Sequence, residues 1–215
     1  MDPEQIASRR FDYETAGLDV ADVDADPVQQ WWRWYREAME AEITEPNAMV
    51  VSTVDADGHP DARFVLVRSV DDKGISFYGN FGSAKGRQIA ATGVASITWG
   101  WLQLHRQVRV RGTAHAFGDA EADEYWASRP RDSQLASAAS PQSQVIADRD
   151  ELDARIAEQT RLWAGVDAVP RPDTWGGFRV VPEVFEFWQG RPARTHDRLR
   201  YRRVDGAWLV ERLAP

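Results

Sequence analysis

The hydrophobic pattern of this chain changes at residue 48 from helical spacing to strand spacing, and this change constrains the fold most. The segments MVVSTVD, ARFVLVRSV and ISFYGN are separated by D-A-D-G and D-D-K-G, so they predict three strands joined by tight turns. VASITWGW and RQVRVRGTAHAF alternate with a period of two and predict two more strands. GGFRVVP, EVFEFWQG, RLRYRRV and AWLVERLAP predict further strands, with D-G at 205–206 turning the last hairpin.

Helices are predicted before and between these strands. Asp26 and Pro27 form an N-cap and first-turn pair, and the apolar spacing after them is typical of an amphipathic helix. The predicted helices run from Pro27 to near Pro46, over AKGRQIAAT after the cap Ser83, from Asp119 to Ser128, within 130–141, and over ELDARIAEQTRLWAG after the cap Asp150.

The order of these elements predicts a mainly β protein with flanking helices, of the α+β class, because strand and helix do not alternate strictly. An antiparallel barrel is the natural architecture for such strands. We expect residues 26–215 to form a single domain, with helical excursions at about 119–165. Residues 1–25 are polar and acidic without a core-forming period, and we expect them to form a flexible or peripherally docked arm.

Composition excludes several kinds of chemistry. The absence of cysteine rules out disulfides, a thiolate nucleophile and thiolate-bound metals. The four histidines lack metal-ligand spacing, so we expect no metal site, and neither a G-x-S-x-G elbow nor a P-loop occurs. The net charge of −8 argues against nucleic-acid binding. With no apolar run of roughly 20 residues, we expect a soluble, cytoplasmic protein without a membrane partner.

Clustered arginines in this acidic chain indicate small anionic ligands. Two groups of donors could each hold a phosphate, one at a strand-to-helix junction and one in the turn S-R-P-R-D-S. These groups are Arg63 with Ser83 and Lys85, and Arg129 with Tyr125 and Ser133. Taken singly, each residue has a structural alternative: the arginines as surface charges, Ser83 as a helix cap and Tyr125 as a packing residue.

The stretch FEFWQG followed by RPARTHDR is the most specific feature of the sequence. It brings Trp188, Arg194, His196 and Arg198 close together between two predicted strands. An aromatic plane, two guanidinium groups and an imidazole suit a planar, charged, aromatic substrate.

The chain resembles the pyridoxine/pyridoxamine 5'-phosphate oxidase family from near Pro27 to the terminal RLAP. The motifs that carry the resemblance occur in the family's order and with near-family spacing. They are NAMVVSTVD, RFVLVR, FYGNFGSAKG, RQVRVRG, YWASRPRDSQ, PQSQ, WGGFRV and FEFWQGRPARTHDR.

The resemblance implies an FMN-binding antiparallel split β-barrel of Greek-key type and a homodimer with FMN at the subunit interface. The implied activity oxidises pyridoxine 5'-phosphate, pyridoxamine 5'-phosphate or both to pyridoxal 5'-phosphate, with oxygen as acceptor and hydrogen peroxide, plus ammonia from the amine, as by-products. The implied FMN contacts are Arg63, Phe64, Val65, Leu66, Tyr78, Gly79, Lys85, Gln107, Gln142, Ser143, Trp188 and Arg198. The implied substrate contacts are Arg68, Tyr125, Arg129, Ser133, Arg194 and His196, the last two being the implied catalytic residues.

Three positions depart from the family pattern. Arg68 stands where lysine is expected, which keeps the charge but changes reach and hydrogen-bond geometry, so substrate affinity or preference is expected to differ. Ala84 stands where many members place an arginine on the FMN phosphate, so weaker FMN retention is expected. Thr195 replaces an aliphatic residue, with a minor effect expected.

Two other functions stay open from the sequence. One is a phenazine-type flavin oxidase of secondary metabolism, although a substrate without phosphate would not need Tyr125, Arg129 and Ser133 together. The other is a non-catalytic module that binds FMN or pyridoxal phosphate, and the presence of Arg194 with His196 argues against it.

Overall fold

The computed structural model describes residues 17–118 and 120–215, and within them it has five α-helices and nine β-strands. The helices are α1 (Pro27–Glu40), α2 (Ala84–Thr92), α3 (Ala120–Ser128), α4 (Arg131–Ala139) and α5 (Arg149–Leu162). The strands are β1 (Ala48–Val54), β2 (Pro60–Leu66), β3 (Ser69–Asp71), β4 (Gly74–Asn80), β5 (Val94–Trp101), β6 (Arg106–Phe117), β7 (Trp175–Gln189), β8 (Asp197–Val204) and β9 (Ala207–Leu213). No helix in this part of the chain is long and apolar enough to cross a membrane.

The described residues group into two compact units, each made of separate stretches of chain. We call residues 17–48, 98–110 and 183–215 the terminal unit, and residues 49–97 and 111–182 the central unit. Strands β5, β6 and β7 contribute residues to both. The single domain expected over 26–215 stays a prediction, because a grouping by contact does not show whether either unit folds alone.

The strand order is β2-β1-β5-β6-β7-β4-β3, and β8 pairs with both β7 and β9. The ladders of β3 with β4, β4 with β7, β7 with β8 and β8 with β9 are all antiparallel. The predicted class, mainly antiparallel β with flanking helices, is confirmed by this arrangement.

The β4–β7 ladder supplies part of the core of the central unit. Phe77 and Phe178 are partners across this ladder, and their rings stack with centroids 5.2 Å apart. Because successive side chains of a strand face opposite sides, Tyr78 points away from the face that Phe77 occupies. The ladder thereby holds Tyr78 at a fixed register, opposite Gly177.

Two glycines of β7 leave room for aromatic rings of the central unit. A Cβ on Gly176 would lie 2.3 Å from Cζ of Phe81 and 2.6 Å from the carbonyl oxygen of Phe117. A Cβ on Gly177 would lie 2.0 Å from Cζ of the Phe117 ring. Neither approach is possible for a real side chain in a close-packed interior, so the W-G-G sequence is explained by packing.

Helix α1 packs its aromatic face within the terminal unit. Trp34 lies 5.2 Å from Phe187 between ring centroids, and the guanidinium carbon of Arg106 lies 4.5 Å from the Trp34 ring. Arg106 also forms an ion pair with Glu37 of the same helix and donates to Gln189 Oε1 at 2.8 Å. Arg106 therefore has structural partners within the terminal unit.

The predicted caps and the last hairpin turn are confirmed. Asp26 accepts a hydrogen bond from the Val28 backbone at the start of α1, and Ser83 accepts one from the Gly86 backbone at the start of α2. The turn between β8 and β9 has φ of 50° at Asp205 and 85° at Gly206, the left-handed pair that D-G sequences adopt in tight hairpins.

Four predicted boundaries were wrong. Helix α1 ends at Glu40 rather than near Pro46, and α5 is capped by Asp148, which accepts from the Glu151 backbone at 2.9 Å, rather than by Asp150. ARFVLVRSV divides into β2 and β3. GGFRVVP and EVFEFWQG form the single strand β7, because Pro182 lies between the residues paired with β4 and those paired with β8, so its missing N–H interrupts neither ladder.

The expected arm over residues 1–25 is described only from residue 17, and the predicted helix start at Asp119 also lies outside the described residues. Within the terminal unit, the Leu18 backbone donates to Asp197 Oδ2 at 3.0 Å. The Tyr201 hydroxyl donates to the Asp24 carbonyl at 2.7 Å. Residues 17–25 are therefore docked against β8.

Candidate active site

The central unit contains an open pocket of about 610 Å³, a volume in the range of small-molecule sites. It lies where β2, β4, the start of α2, α3 and α4 meet. All the predicted site residues of the central unit line it except Ser83, which caps α2, and Ser133. The lining residues are Asp61, Ala62, Arg63, Phe64, Val65, Leu66, Arg68, Tyr78, Gly79, Ala84, Lys85, Tyr125, Arg129, Ser137, Gln142, Ser143 and Trp175.

One end of this pocket is built around Lys85, the second residue of α2. Its ammonium donates to Gln142 Oε1 at 2.8 Å and to Ser83 Oγ at 3.2 Å, both neutral acceptors. Burial, with a smaller contribution from the positive charge of Arg63, lowers the pKa of Lys85 to about 8. Gly79 leaves space here, since a Cβ on it would lie 3.2 Å from the Lys85 nitrogen. A buried cation with neutral partners at a helix start favours an anion.

Arg63 lies at the same end but is held by protein acceptors. It forms an ion pair with Asp61 and donates to Thr53 Oγ1 at 2.5 Å and to Gln88 Oε1 at 3.2 Å. A hydrogen bond from Gln88 and the charge of Arg63 hold the pKa of Asp61 below its usual value. Asp61 was not among the residues predicted from the sequence. Its carboxylate offsets part of the positive charge of Arg63.

A second group of cations consists of Arg129, directly after α3, and Arg68, between β2 and β3. The guanidinium carbon of Arg129 lies 4.8 Å from the Trp175 ring centroid, and that of Arg68 lies 5.4 Å from the Tyr125 ring. Arg129 Nη2 donates to Ser137 Oγ at 2.9 Å, whereas its Nη1 is buried and has no hydrogen-bond partner in the part of the chain that the structure describes. Burial lowers the pKa of Arg129, and nearby Arg68 lowers it further while Tyr125 raises it.

Aromatic rings line the wall of the pocket. Tyr78 stacks on Tyr125 with centroids 4.1 Å apart and on Trp175 with centroids 5.5 Å apart. The planes of Tyr78 and Trp175 lie within 11° of each other. Such a wall suits a planar ligand. Within residues 17–118 and 120–215, the positive charges of Arg68, Lys85 and Arg129 are not balanced by an ion pair with a carboxylate.

Ser133, the remaining predicted contact of the central unit, lies half-buried on α4 and does not line the pocket. Ser137, one turn further along the helix, does line it and contacts Arg129. Sequence analysis also missed Trp175 as a pocket residue. The one signal for Ser137 was its spacing of four residues from Ser133, which sets two side chains on the same helix face.

The other predicted site residues belong to the terminal unit. His196 lies against Trp188, with centroids 4.6 Å apart, and its Nδ1 accepts a hydrogen bond from the Arg191 backbone at 3.1 Å. Arg198 donates to Glu186 Oε1 at 2.9 Å, and Arg194 is exposed. Trp188 and Gln107 line a second, mainly apolar pocket of about 740 Å³, together with Gly100, Leu102, Gln103, His105 and Arg106.

The antiparallel sheet with flanking helices is a split barrel, and its cationic pocket walled by aromatic rings fits the class of split-barrel flavoproteins. Residues 35–163 match the family described as pyridoxamine 5'-phosphate oxidase. Residues 175–215 match the pyridoxine 5'-phosphate oxidase C-terminal dimerisation region. The chain belongs to the pyridoxamine 5'-phosphate oxidase family, as the resemblance predicted.

Relatives and solved structures agree with this assignment. The chain is 49% identical over 211 residues to the pyridoxine/pyridoxamine 5'-phosphate oxidase of Ralstonia pickettii, covering 98% of this chain and 99% of the relative. It is 46% identical over 215 residues to the Synechocystis enzyme of the same name, covering 100% of both. The structure of PhzG from Burkholderia lata, in complex with tetrahydrophenazine-1-carboxylic acid, is 33% identical with a TM-score of 0.86, covering 94% of this chain and 98% of that chain. An FMN-binding protein from Nostoc punctiforme, 17% identical with a TM-score of 0.69 over 86% of this chain and 97% of that chain, shows the same fold.

Proposed function

We propose that this protein oxidises pyridoxine 5'-phosphate, pyridoxamine 5'-phosphate or both to pyridoxal 5'-phosphate, using FMN and oxygen. The observation that carries the proposal is the central-unit pocket, in which two separate groups of cations lie along a stacked aromatic wall. A flavin phosphate and a substrate phosphate are two anions attached to planar rings, and the pocket offers a cationic group for each.

The residues at the Lys85 end fit the phosphate of FMN. Lys85 is a buried cation with neutral partners, and the start of α2 adds the partial positive charge of a helix N-terminus. An arginine at position 84 would add another donor, and Ala84 does not supply it. FMN held by these residues would supply the redox chemistry, as an acceptor for a hydride (two electrons and one proton) from the 4' carbon while the 4' hydroxyl or amine loses a proton. Oxygen would then take up the two electrons and two protons and leave as hydrogen peroxide.

The residues at the Arg129 end would hold the substrate phosphate. Arg129 has a buried donor, Nη1, without a partner among the described residues, and a phosphate oxygen would satisfy it. Arg68 and Tyr125 add a positive charge and a hydroxyl donor beside it. We also propose Ser133 as a phosphate contact. Because Ser133 does not line the pocket, its side chain would have to reach from α4 to the bound phosphate. Holding the phosphate orients the reacting carbon and makes the reaction effectively intramolecular.

Arg194 and His196 would act at the reacting carbon. Since Nδ1 of His196 accepts a hydrogen bond, the neutral ring carries its hydrogen on Nε2 and can donate it to a polar atom of the substrate. Arg194 can stabilise negative charge on the oxygen or nitrogen at the 4' position. The match to a dimerisation region supports a homodimer with FMN at the subunit interface, to which Gln107, Trp188 and Arg198 would contribute.

The test is an assay of the purified protein with added FMN. We expect both loss of the flavin absorbance band when pyridoxine 5'-phosphate is added without oxygen, and formation of an aldehyde and hydrogen peroxide when oxygen is present. FMN binding without bleaching by either phosphorylated substrate would leave the non-catalytic module as the better description. Bleaching by tetrahydrophenazine-1-carboxylic acid but by neither B6 phosphate would favour the phenazine-type oxidase that the PhzG similarity allows.

A cytoplasmic location belongs to the same proposal and rests on the sequence expectation. Cell fractionation with an antibody against the native protein tests it, and enrichment in the membrane or periplasmic fraction would contradict it.

A further inference from the structure

We propose that Ser137 sets the affinity for the phosphorylated substrate by positioning the guanidinium of Arg129, an inference that rests on the proposed function. Ser137 lines the central-unit pocket, and its hydroxyl accepts a hydrogen bond from Arg129 Nη2 at 2.9 Å. The two residues are eight positions apart, on α4 and just before it, so the contact fixes Arg129 against a rigid helix.

The contact occupies one terminal nitrogen of the guanidinium and leaves the other, Nη1, available for a ligand. The two aromatic rings of Trp126 and Trp175 lie 5.1 Å and 4.8 Å from the guanidinium carbon and confine its plane. With Nη2 bound to Ser137, the buried Nη1 has no hydrogen-bond partner among residues 17–118 and 120–215. A phosphate oxygen would accept a hydrogen bond from Nη1. If the guanidinium were rotated, Nη1 would no longer lie in the same position.

The choice of a hydroxyl at position 137 also preserves the charge of Arg129. A serine oxygen accepts a hydrogen bond without neutralising the guanidinium. Arg63 at the other end of the pocket shows the contrasting case, since the carboxylate of Asp61 is its partner. The Ser137 hydrogen has no acceptor among the described residues, so the same hydroxyl can donate to the phosphate.

The experiment compares Ser137→Ala, Ser137→Thr and Ser137→Asp with the wild-type holoenzyme. We expect Ser137→Ala to raise the KM for pyridoxine 5'-phosphate about tenfold with little change in kcat, because one oriented hydrogen bond to a charged group is lost. Ser137→Thr keeps the hydroxyl and should restore the wild-type KM. Ser137→Asp should raise the KM further than Ser137→Ala, since its carboxylate would neutralise Arg129.

Two further measurements separate positioning from a general structural role. The dissociation constant of pyridoxal 5'-phosphate, measured by calorimetry, should rise about tenfold in Ser137→Ala. FMN affinity and the unfolding temperature should stay at wild-type values. Ser140→Ala is the matched control. Ser140 follows the last residue of the same helix and lines a neighbouring cavity of about 270 Å³. Within the described chain, the side-chain hydrogen bond of Arg129 goes to Ser137 and not to Ser140.

The outcomes distinguish this inference from the proposed function. Absence of turnover by the wild-type holoenzyme would overturn the proposed function and this inference with it. Wild-type turnover with an unchanged KM in Ser137→Ala would overturn the role of Ser137 alone. A loss of kcat and FMN affinity in Ser137→Ala that Ser137→Thr does not restore would assign Ser137 a structural role and also overturn the inference.

Discussion

At the Lys85 end of the central-unit pocket, the charge of Lys85 depends most on pH. Burial and Arg63 lower its pKa to about 8 from the usual 10.5. The unfolded chain therefore binds more protons than the folded chain between about pH 8 and 10.5, and the apoprotein gains stability from this group as the pH rises through that window. Phosphate binding follows the opposite trend, because the protonated ammonium is the form that attracts an anion.

We expect FMN affinity to fall as the pH rises above about 8, by up to about tenfold per pH unit, because one proton on Lys85 supports binding. Fluorescence titration of the apoprotein with FMN across this range measures the effect. Lys85→Arg is the control, since arginine keeps its proton and should give a flat profile. A wild-type affinity independent of pH would show that Lys85 does not bind the phosphate.

Asp61 opposes the positive charge of the same pocket. Asp61→Asn should tighten FMN binding by about three- to tenfold, because the half-exposed pair with Arg63 is worth only about 0–1 kcal/mol while a repulsive charge near the phosphate is removed. Equilibrium titration with FMN measures the change. Asp57→Asn makes the same charge change in the exposed turn between β1 and β2, and an equal shift in both variants would point to net charge rather than to Asp61.

At the scale of elements, the glycines of β7 make a direct prediction for stability. Gly176→Ala should lower the free energy of unfolding by about 1–3 kcal/mol, since the new Cβ would meet the Phe117 carbonyl as well as the Phe81 ring. Urea denaturation of the apoprotein measures this loss. Gly118→Ala is the matched control, because the nearest atom to its Cβ lies 3.7 Å away. Equal stability of the two variants would mean that the backbone of β7 shifts without cost.

The elements that the sequence predicted correctly are those specified by local chemistry. The caps Asp26 and Ser83 and the turn at Asp205 and Gly206 each depend on a few adjacent residues. The continuity of β7 through Pro182 depends instead on which strands pair with each part of β7. The local sequence pattern does not indicate this pairing. Asp148 and Asp150 are both plausible caps, and the geometry of the first turn decided between them.

At the scale of the molecule, the order of motifs predicted the family and most of the residues that line the central pocket. Residues from β2, β4, α2 and α3 were assigned together because their motifs occur together in the family. Asp61, Ser137 and Trp175 were missed, since their place in the pocket depends on how distant elements pack rather than on a motif. Conversely, Ser133 belongs to a motif, and the helix that carries it leaves it outside the lining.

The cationic pocket also predicts how the whole protein responds to flavins. FMN at a hundredfold excess over its dissociation constant should raise the free energy of unfolding by about 2.7 kcal/mol, because a ligand that binds only the folded state stabilises it by mass action. Riboflavin at the same concentration should stabilise far less, since it lacks the phosphate that Lys85 would bind. Thermal unfolding with each flavin measures the difference, and equal shifts would show that the isoalloxazine ring alone determines binding.

The buried Nη1 of Arg129, to which no described residue forms a hydrogen bond, has a practical consequence for handling the protein. A donor of this kind will take any tetrahedral oxyanion small enough to reach it, so inorganic phosphate or sulfate in a buffer should compete with substrate. Apparent KM values should rise in phosphate buffer relative to a zwitterionic buffer of equal ionic strength. Stocks purified by ammonium sulfate precipitation should be desalted before their kinetics are compared with those of other preparations.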